Sequence, residues 1–195
     1  MRLTRRGAVN PDLDPADAFP TWLDAARTGS ADGFAAIYDW LGPEIKRFAV
    51  ARGARDADAV TNDAFVAAFR RLGALDGGHA AFRSWIYAIA RNGLIDAHRA
   101  EQRRPPMAGE DGDDDRIWAP SAEETALDGV ADARATELLA GLTEAQQEVI
   151  ILRVVNGLTL QETADAVKRP VSAVKRLQAR ALGQMRRRIR DEEVS

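Results

Sequence analysis

The chain has 195 residues, of which 46% are apolar and 29% are charged, a composition typical of globular proteins of one or two domains. It contains no cysteine, which excludes disulfides and thiolate metal sites, and no apolar run of the roughly 18 residues that a membrane helix needs. The first residues are basic without a following apolar segment, which argues against a secretory signal. The simplest expectation is a cytoplasmic protein.

The net charge of −3 conceals a strongly polarised distribution along the chain. Residues 110–132 carry nine acidic side chains and one basic one, whereas residues 168–190 carry nine basic side chains and no acidic one. Such a basic segment attracts a polyanion such as nucleic acid, and it also invites contact with the acidic segment of the same chain. The charge pattern therefore favours a nucleic-acid binder despite the negative total.

The chain begins with a stretch rich in Arg, Asp and Pro, and we predict a mobile N-terminus over residues 1–20. A short helix is expected over residues 21–27, and Gly29 ends it. Ser30 is then a suitable N-cap for a longer helix with an apolar stripe. Pro43 interrupts this stripe, so we expect the helix to be kinked or split in two.

Two further helices are predicted over residues 56–72 and 81–99, with a glycine-containing loop between them. On the second helix Trp85 falls on the apolar stripe. The cationic, aromatic and amide side chains that fall elsewhere around it are Arg83, Tyr87, Arg91, Asn92 and Arg99. Aromatic rings interleaved with arginines suit single-stranded nucleic acid, because bases stack on rings while guanidinium groups hold phosphates. Trp85 itself is predicted to lie in the core, with stacking on a base as the alternative.

The composition changes over residues 101–136 to Pro, Gly, Asp and Glu, which indicates a linker that is flexible at first and helical from about residue 123. It divides the chain into two small helical domains, over residues 21–100 and 137–195. The acidic run at residues 110–115 is predicted to shield the basic second domain, with a merely solvated linker as the alternative. The predicted fold is therefore all-α.

Residues 142–190 indicate three helices, of which the last two form a helix-turn-helix. Thr143 and Gln146 make a capping box in front of an apolar run, and Gly157 ends that first helix. Thr159 caps the next helix. Its expected buried stripe is Leu160, Thr163, Ala164 and Val167.

Pro170 cannot lie inside a continuous helix, so the chain must turn at Lys168 and Arg169 before the last helix begins. In that helix Val174, Leu177 and Ala181 lie on one side. The opposite side carries Ser172, Lys175, Arg176 and Ala179. A polar and basic face with small residues suits entry into a DNA major groove, and the alternative is a solvated basic helix in an ordinary bundle.

Together these features resemble the bacterial RNA polymerase sigma factors of the extracytoplasmic function (ECF) type. The most specific match is FRSWIYAIARNGLIDAHR at residues 82–99, which is similar to the helix that melts the promoter and reads its minus-ten element. The helix-turn-helix from residue 142 is similar to the domain that reads the minus-thirty-five element, and VKRLQARAL at residues 174–182 resembles an actinobacterial variant. The helix over residues 57–69 and the order of the segments along the chain also match the pattern of this family.

The resemblance implies specific partners and contacts. The helix over residues 57–69 would dock on the clamp helices of the largest subunit of the polymerase core. The second domain would rest near the flap of the second-largest subunit. Promoter DNA is the next implied partner, and an anti-sigma protein is a further one.

The resemblance also implies roles for individual residues, by their positions in the matching segments. The residues implied in core binding are Asp58, Asn62 and Asp63. Those implied at the minus-ten element are Asp76, His79, Arg83, Tyr87, Arg91, Asn92 and Arg99. Those implied at the minus-thirty-five element are Ser172, Lys175, Arg176 and Arg180.

The sequence departs from the family pattern at two places. The acidic pair and the Gln-Glu pair of the core-binding helix are Asp58-Ala59 and Asn62-Asp63 here, so we expect the details of core binding to differ. The turn of the helix-turn-helix has Lys168 where the family usually has glycine. A left-handed lysine there would cost about 1 kcal/mol.

The sequence also bears on two other classes of function. An enzyme is disfavoured, because the only histidines are His79 and His98 and there is no phosphate-binding loop or metal-spaced cluster. We therefore expect no catalytic residue, no metal site and no cofactor. The second class is a stand-alone transcriptional regulator, whose first domain senses a partner and whose second domain binds duplex DNA.

Overall fold

The structure, a computed structural model, describes residues 14–102 and 131–193, with side chains over 14–99 and 134–191. The expected mobility of residues 1–13 and the shielding run of the linker lie outside the described residues. Over the described ranges the chain is all-α, as predicted. Its helices are α1 (Pro15–Arg27), α2 (Ala31–Ala51), α3 (Ala57–Arg70), α4 (His79–Gln102), α5 (Ala131–Ala140), α6 (Glu144–Ile150), α7 (Leu160–Val167) and α8 (Val171–Glu193).

The first domain, α1 to α4, begins earlier than the sequence predicted. Asp14 caps α1 by accepting a hydrogen bond from the backbone N–H of Ala16 at 2.8 Å, and Pro15 occupies the first turn, where its missing N–H costs nothing. Phe19 is completely buried and anchors this helix to the core. The expectation of a mobile stretch over residues 15–20 is therefore wrong.

Helix α2 runs through Pro43 without interruption, so the expected split does not occur. Leu41 and Ile45, on either side of the proline, are both completely buried. Because both halves of the helix are held against the same core, the hydrogen bond that proline cannot donate does not divide it.

The core of the first domain is built from apolar side chains of all four helices. Its large, completely buried members are Phe19, Ile37, Leu41, Ile45, Phe48, Phe82, Ile86 and Tyr87, and α3 adds Phe65 and Ala68. Side chains of this size each stabilise a fold by roughly 1.5–3 kcal/mol when buried. This packing fixes the rotation of α3 and α4, and therefore which of their side chains point away from the core.

The second domain, α5 to α8, follows the predicted local signals. The side-chain oxygen of Gln146 accepts a hydrogen bond from the backbone N–H of Thr143 at 2.9 Å, as a capping box requires. After α6 the chain widens into a π-helical turn over Ile151–Val155, which the sequence did not indicate. Gly157 then reverses the chain with a φ of 64°, as expected for a residue that ends a helix.

The two domains pack against each other. Helix α4 lies against α7, and α2 touches the π turn. One continuous buried cluster contains Phe82 and Ile86 of α4 together with Leu158 and Ala164 of the second domain. The sequence predicted two domains with a flexible linker between them and gave no indication of this contact.

Candidate nucleic-acid and polymerase interfaces

Helix α8 presents the polar and basic face that the sequence predicted. Val174 and Ala181 are completely buried against the domain, which fixes the rotation of the helix about its axis. The opposite side is exposed along its length, and its residues are Ser172, Lys175, Arg176, Ala179 and Arg180. The predicted recognition residues therefore share one accessible face.

The turn in front of α8 is tight and strained. Lys168 has a φ of 53° and a ψ of 48°, the left-handed conformation anticipated for this position. The backbone N–H of Arg169 donates to the carbonyl of Ala164 at 3.0 Å, which closes the end of α7. This geometry sets the angle at which α8 leaves α7.

Arg153 of the π turn supports α8 from within the second domain. Its Nε donates to the side chain of Gln178 on α8 at 3.4 Å, and its Nη1 donates to the carbonyl of Leu158. Arg153 thus links the segment that follows the turn at Gly157 to α8. Sequence reasoning missed this role, because the contact depends on the π turn, which no local pattern predicted.

Helix α4 distributes its predicted nucleic-acid residues differently from the expectation. Asn92 and Arg99 are exposed, as a nucleic-acid contact requires. Tyr87, which was predicted to face outward, is completely buried, with its ring 5.3 Å from that of Phe48. The outward placement of Tyr87 is therefore wrong. Trp85, predicted to lie in the core, is only partly buried and packs on the edge of it.

Burial governs the chemistry of Tyr87. Its hydroxyl lies 3.3 Å from a carboxylate oxygen of Glu44 on α2. Burial, followed by the nearby charge of Glu44, raises the pKa of Tyr87 far above its ordinary range. The phenol is therefore neutral at every ordinary pH and serves as a hydrogen-bond donor to Glu44.

Arg83 lies at the junction of the two domains. Its Nη2 donates to Glu44 at 2.9 Å and to the backbone carbonyl of Asn156 at 2.6 Å, and its Nη1 is 3.6 Å from Glu162 of α7. Burial by itself lowers the pKa of Arg83, but the hydrogen bond and charge of Glu44, with weaker help from Tyr87 and Glu162, raise it above its ordinary value. The guanidinium is charged and held by both domains.

Arg91, two turns further along α4, has a similar partner. Its Nε donates to a carboxylate oxygen of Glu148 on α6 at 2.5 Å. Sequence reasoning predicted Arg83 and Arg91 as nucleic-acid contacts and missed their glutamate partners. The Thr-x-x-Glu spacing from Thr159 could have marked Glu162 as a capping residue, but no local signal points from it to Arg83.

The loop before α4 contributes the remaining residues of the minus-ten set. Asp76 is exposed in the loop, whereas His79, at the start of α4, is half-buried. The imidazole of His79 lies 5.2 Å from the ring of Trp40 and 6.2 Å from that of Phe19. His79 thus anchors the end of the loop to the aromatic core, whereas Asp76 is exposed to solvent.

Helix α3 presents the predicted core-binding residues on an exposed face. Asp58, Asn62 and Asp63 are all exposed. Lys46 of α2 pairs with Asp58 at 2.9 Å, and the hydroxyl of Tyr38 donates to Asn62 at 2.9 Å. Tyr38, Lys46 and Asp58 line an open groove between α2 and α3 with a volume of about 320 Å³. The polar groups along it are held in place by neighbours on α2.

Neither a metal site nor a membrane-spanning helix is present within the described residues. Over residues 14–102 and 131–193, no group of His, Cys, Asp or Glu side chains could hold a metal ion. In the same part of the chain, no helix is both long and apolar enough to cross a bilayer.

The fold and these faces define a two-domain helical protein that ends in a helix-turn-helix, and comparison with known proteins identifies its family. The model for Sigma-70 region 2 matches residues 37–104, which include most of α2, all of α3 and α4. The model for Sigma-70, region 4 matches residues 138–187, which include α6, α7 and most of α8. Together the two matches span more than half of the chain.

Curated relatives agree with this assignment. The ECF RNA polymerase sigma factor SigD of Mycobacterium tuberculosis is 31% identical over 178 residues, which cover 87% of this chain and 81% of that protein. The ECF RNA polymerase sigma factor BldN of Streptomyces coelicolor is 28% identical over 172 residues. That match covers 87% of this chain but only 65% of the length of that relative. The chain belongs to the ECF RNA polymerase sigma factors and is a promoter-directing initiation factor.

Solved structures show the same fold. CnrH, solved in complex with the cytosolic domain of CnrY, has a TM-score of 0.67 at 23% identity, over 90% of this chain and 99% of that one. The sigma factor RpoE from Bartonella quintana, solved in complex with the anti-sigma factor NepR, has a TM-score of 0.57 at 16% identity, over 80% and 96% of the two chains. The two-domain helical architecture is thus shared at low sequence identity.

Proposed function

We propose that this sigma factor reads the minus-thirty-five element of its promoters with α8 and opens the minus-ten element with α4 and the loop before it. The observation that carries this proposal is the exposed face of α8, which is basic, lacks acidic side chains and follows a capped α7. An α-helix fits the major groove, where each base pair presents a distinct pattern of donors and acceptors.

On α8 the proposed contacts fall into two kinds. Ser172, Lys175 and Arg176 lie in the first two turns, where side chains reach base edges. Arg180 lies one turn beyond Arg176 on the same face and holds a phosphate. Base contacts supply the sequence preference, and phosphate contacts supply affinity and register.

At the minus-ten element the proposed contacts come from the first domain. Asp76 and His79 approach the displaced strand from the loop. The contacts along α4 are Arg83, Arg91, Asn92 and Arg99. Capturing an unstacked base offsets an opening cost of a few kcal/mol per base. Tyr87 leaves this set, because its complete burial against Phe48 makes it a packing residue of α4.

The polymerase core is proposed to meet both domains. The clamp helices of its largest subunit would bind the α3 face that carries Asp58, Asn62 and Asp63, which is open to solvent. The flap of its second-largest subunit would bind near the π turn of the second domain. Exposed apolar side chains support this second contact, since Val154 and Val155 are 61% and 47% exposed.

A regulatory partner belongs to the same proposal. The structural relatives CnrH and RpoE were solved with the cytosolic domain of CnrY and with the anti-sigma factor NepR, respectively. We extend this to the present chain, which would then be held inactive by an anti-sigma protein of its own. A chain that acts with RNA polymerase would be located in the cytoplasm.

The test compares DNA binding with and without polymerase core. A sigma factor of this kind gives a promoter-specific complex only when core is present, whereas a stand-alone regulator shifts promoter duplex by itself. A mobility-shift assay with a promoter fragment and a scrambled control fragment separates the two. Equal, sequence-specific binding in the absence of core would contradict the proposed function.

A further inference from the structure

The loop before α4 has a tip of three exposed residues, Asp76, Gly77 and Gly78. Because two of them are glycines, the tip has little rigidity of its own. Gly77 has a φ of 114°, and a Cβ atom added there would lie 2.8 Å from the Cβ of Ala81, so the tip runs close to the first turn of α4. The position of Asp76, which carries the side chain of the tip, therefore depends on what holds the two ends.

The end that follows the tip is held by α2 and α4. The imidazole of His79 lies 5.2 Å from the ring of Trp40, and the carbonyl of Gly78 accepts a hydrogen bond from the backbone N–H of Phe82 at 3.0 Å. The end that precedes the tip is Leu75, whose side chain is buried. Burial of this side chain leaves the backbone carbonyl that leads into the tip to be fixed by another group.

Helix α1 provides that group. Nη2 of Arg27 donates to the backbone carbonyl of Leu75 at 2.9 Å, across 48 positions of the sequence. A hydrogen bond from a charged donor is stronger than one between neutral groups. Nη1 of Arg27 lies 3.7 Å from Asp24 in an exposed pair, which contributes little to stability. The bond to Leu75 is therefore the contact through which Arg27 acts on the rest of the domain.

We propose that Arg27 is a positioning residue for minus-ten reading, which fixes the loop tip through the carbonyl of Leu75 and so places Asp76 against one base. The inference rests on the proposed function of this loop. A carboxylate accepts hydrogen bonds and donates none, so Asp76 selects a base that carries an amino group, which cytosine, adenine and guanine do and thymine does not. Helix α1 thus contributes to promoter specificity without touching DNA.

A base contact is sensitive to small movements of the tip. Hydrogen bonds weaken steeply as donor and acceptor lose their alignment, whereas the attraction between a charged side chain and a phosphate depends mainly on distance. The proposed contacts Asn92 and Arg99 lie further along α4 and are independent of the loop. Loss of the Arg27 bond should therefore reduce the preference at one base position more than it reduces the yield of transcript.

Three variants separate this role from charge and from folding. Arg27→Ala removes the donor, and because this side chain is 38% exposed, its loss leaves the core of the domain intact. Arg27→Lys keeps a charged donor on a flexible stem. The matched control is Arg70→Ala, which removes the same charge from an exposed position near the end of α3. Any difference between the two alanine variants reflects the contact with Leu75.

The first measurement is the mobility of the tip in the free chain. The sequence has no cysteine, and Gly78 has nothing within 4 Å of an added Cβ, so Gly78→Cys can carry a single spin label. The electron resonance spectrum should show greater label mobility with Arg27→Ala than with Arg70→Ala. Arg27→Lys should lie closer to the parent. Equal mobility in the two alanine variants would overturn the proposal.

The second measurement uses polymerase core, the unlabelled chain and promoters randomised across the minus-ten element. Asp76→Ala should first identify the position that Asp76 reads, by relaxing the preference there. Arg27→Ala should lower the preference at that same position about fivefold and leave the minus-thirty-five preference as in the parent. Arg27→Lys should restore part of the preference, and Arg70→Ala should retain all of it.

The outcomes distinguish this role from the proposed function. A mobile tip with an unchanged minus-ten preference, or Arg27→Lys behaving like Arg27→Ala, would overturn positioning by the Leu75 bond. An unchanged preference in Asp76→Ala would overturn base reading by the tip. A parent without any minus-ten preference would contradict the proposed function itself, whereas the mobility measured in the free chain would still show whether Arg27 holds the loop.

Discussion

Tyr87 supports α4, the helix proposed to contact nucleic acid, from inside the core of the first domain. Its ring packs edge-on against Phe48, and its hydroxyl donates to Glu44, which also receives Arg83 at 2.9 Å. The tyrosine thus holds in place the carboxylate that orients Arg83. Its contribution to function is expected to pass through stability and position.

Truncating Tyr87 should therefore destabilise the first domain more than truncating its neighbour Trp85. Tyr87→Ala removes a completely buried side chain and should lower the free energy of unfolding by about 3–5 kcal/mol. Trp85→Ala removes a partly buried one and should cost clearly less. Urea unfolding of both variants measures the difference. Equal losses for the two would contradict the assignment of Tyr87 to the core.

The raised pKa of Tyr87 predicts a specific alkaline behaviour. In the unfolded chain the phenol ionises near pH 10, whereas in the folded chain it stays protonated to higher pH. The folded state then binds more protons above about pH 10, so its stability falls as the pH rises past that value. Tyr87→Phe should lose less stability between about pH 10 and 11 than the parent. Parallel unfolding curves over that interval would refute the prediction.

Among the elements, the turn between α7 and α8 is strained, because a lysine occupies a position with left-handed backbone geometry. Lys168 adopts a left-handed conformation in which glycine would meet no steric cost. Lys168→Gly should therefore raise the free energy of unfolding by roughly 0.5–1 kcal/mol. Lys168→Ala removes the same side chain but keeps the strain, so it should give no such gain. A stabilised alanine variant would show that charge, not backbone strain, matters at this turn.

The contact between α1 and α2 is an equally local feature with a larger expected effect. A Cβ atom added at Gly33 would lie 2.5 Å from the backbone nitrogen of Ala26, which cannot move aside. Gly33→Ala should therefore destabilise the first domain by about 1–3 kcal/mol or more. Gly93→Ala, on α4, has nothing within 4 Å and should be neutral or stabilising. Thermal unfolding of the pair tests the close approach, and equal melting temperatures would argue against it.

At the scale of the whole molecule, helix positions and the exposed basic face of α8 could be predicted because their signals are local. The boxes at Thr143 and Thr159, the break at Pro170 and the apolar side of α8 each involve residues within one or two turns. The contact between the domains has no such signal. It depends on α4 meeting α2 and α3 on one side and α7 on another, so that positions which look outward by helical spacing are covered.

Tyr87, Arg83 and Arg91 illustrate that limit. They follow one another at intervals of four residues, on a strip beside the apolar one that contains Phe82 and Ile86. Helical spacing distinguishes the apolar strip from the strip that carries Tyr87 and the two arginines. It could not show that both strips are covered by other helices. The partners Glu148 and Glu162 lie more than fifty residues away along the chain, beyond the reach of any local pattern.

Promoter reading by α8 is tested most directly by mapping the transcripts that polymerase core makes from genomic DNA when it is supplied with this chain. The parent should start transcription at sites that share an upstream motif. Arg176→Ala should cost about 1–3 kcal/mol on those promoters and relax the motif at one upstream position. Arg187→Ala, an exposed residue three turns later on α8, should weaken all sites alike and lower the salt slope by about one unit. Transcripts without any shared motif, or an unchanged motif for Arg176→Ala, would contradict promoter reading by α8.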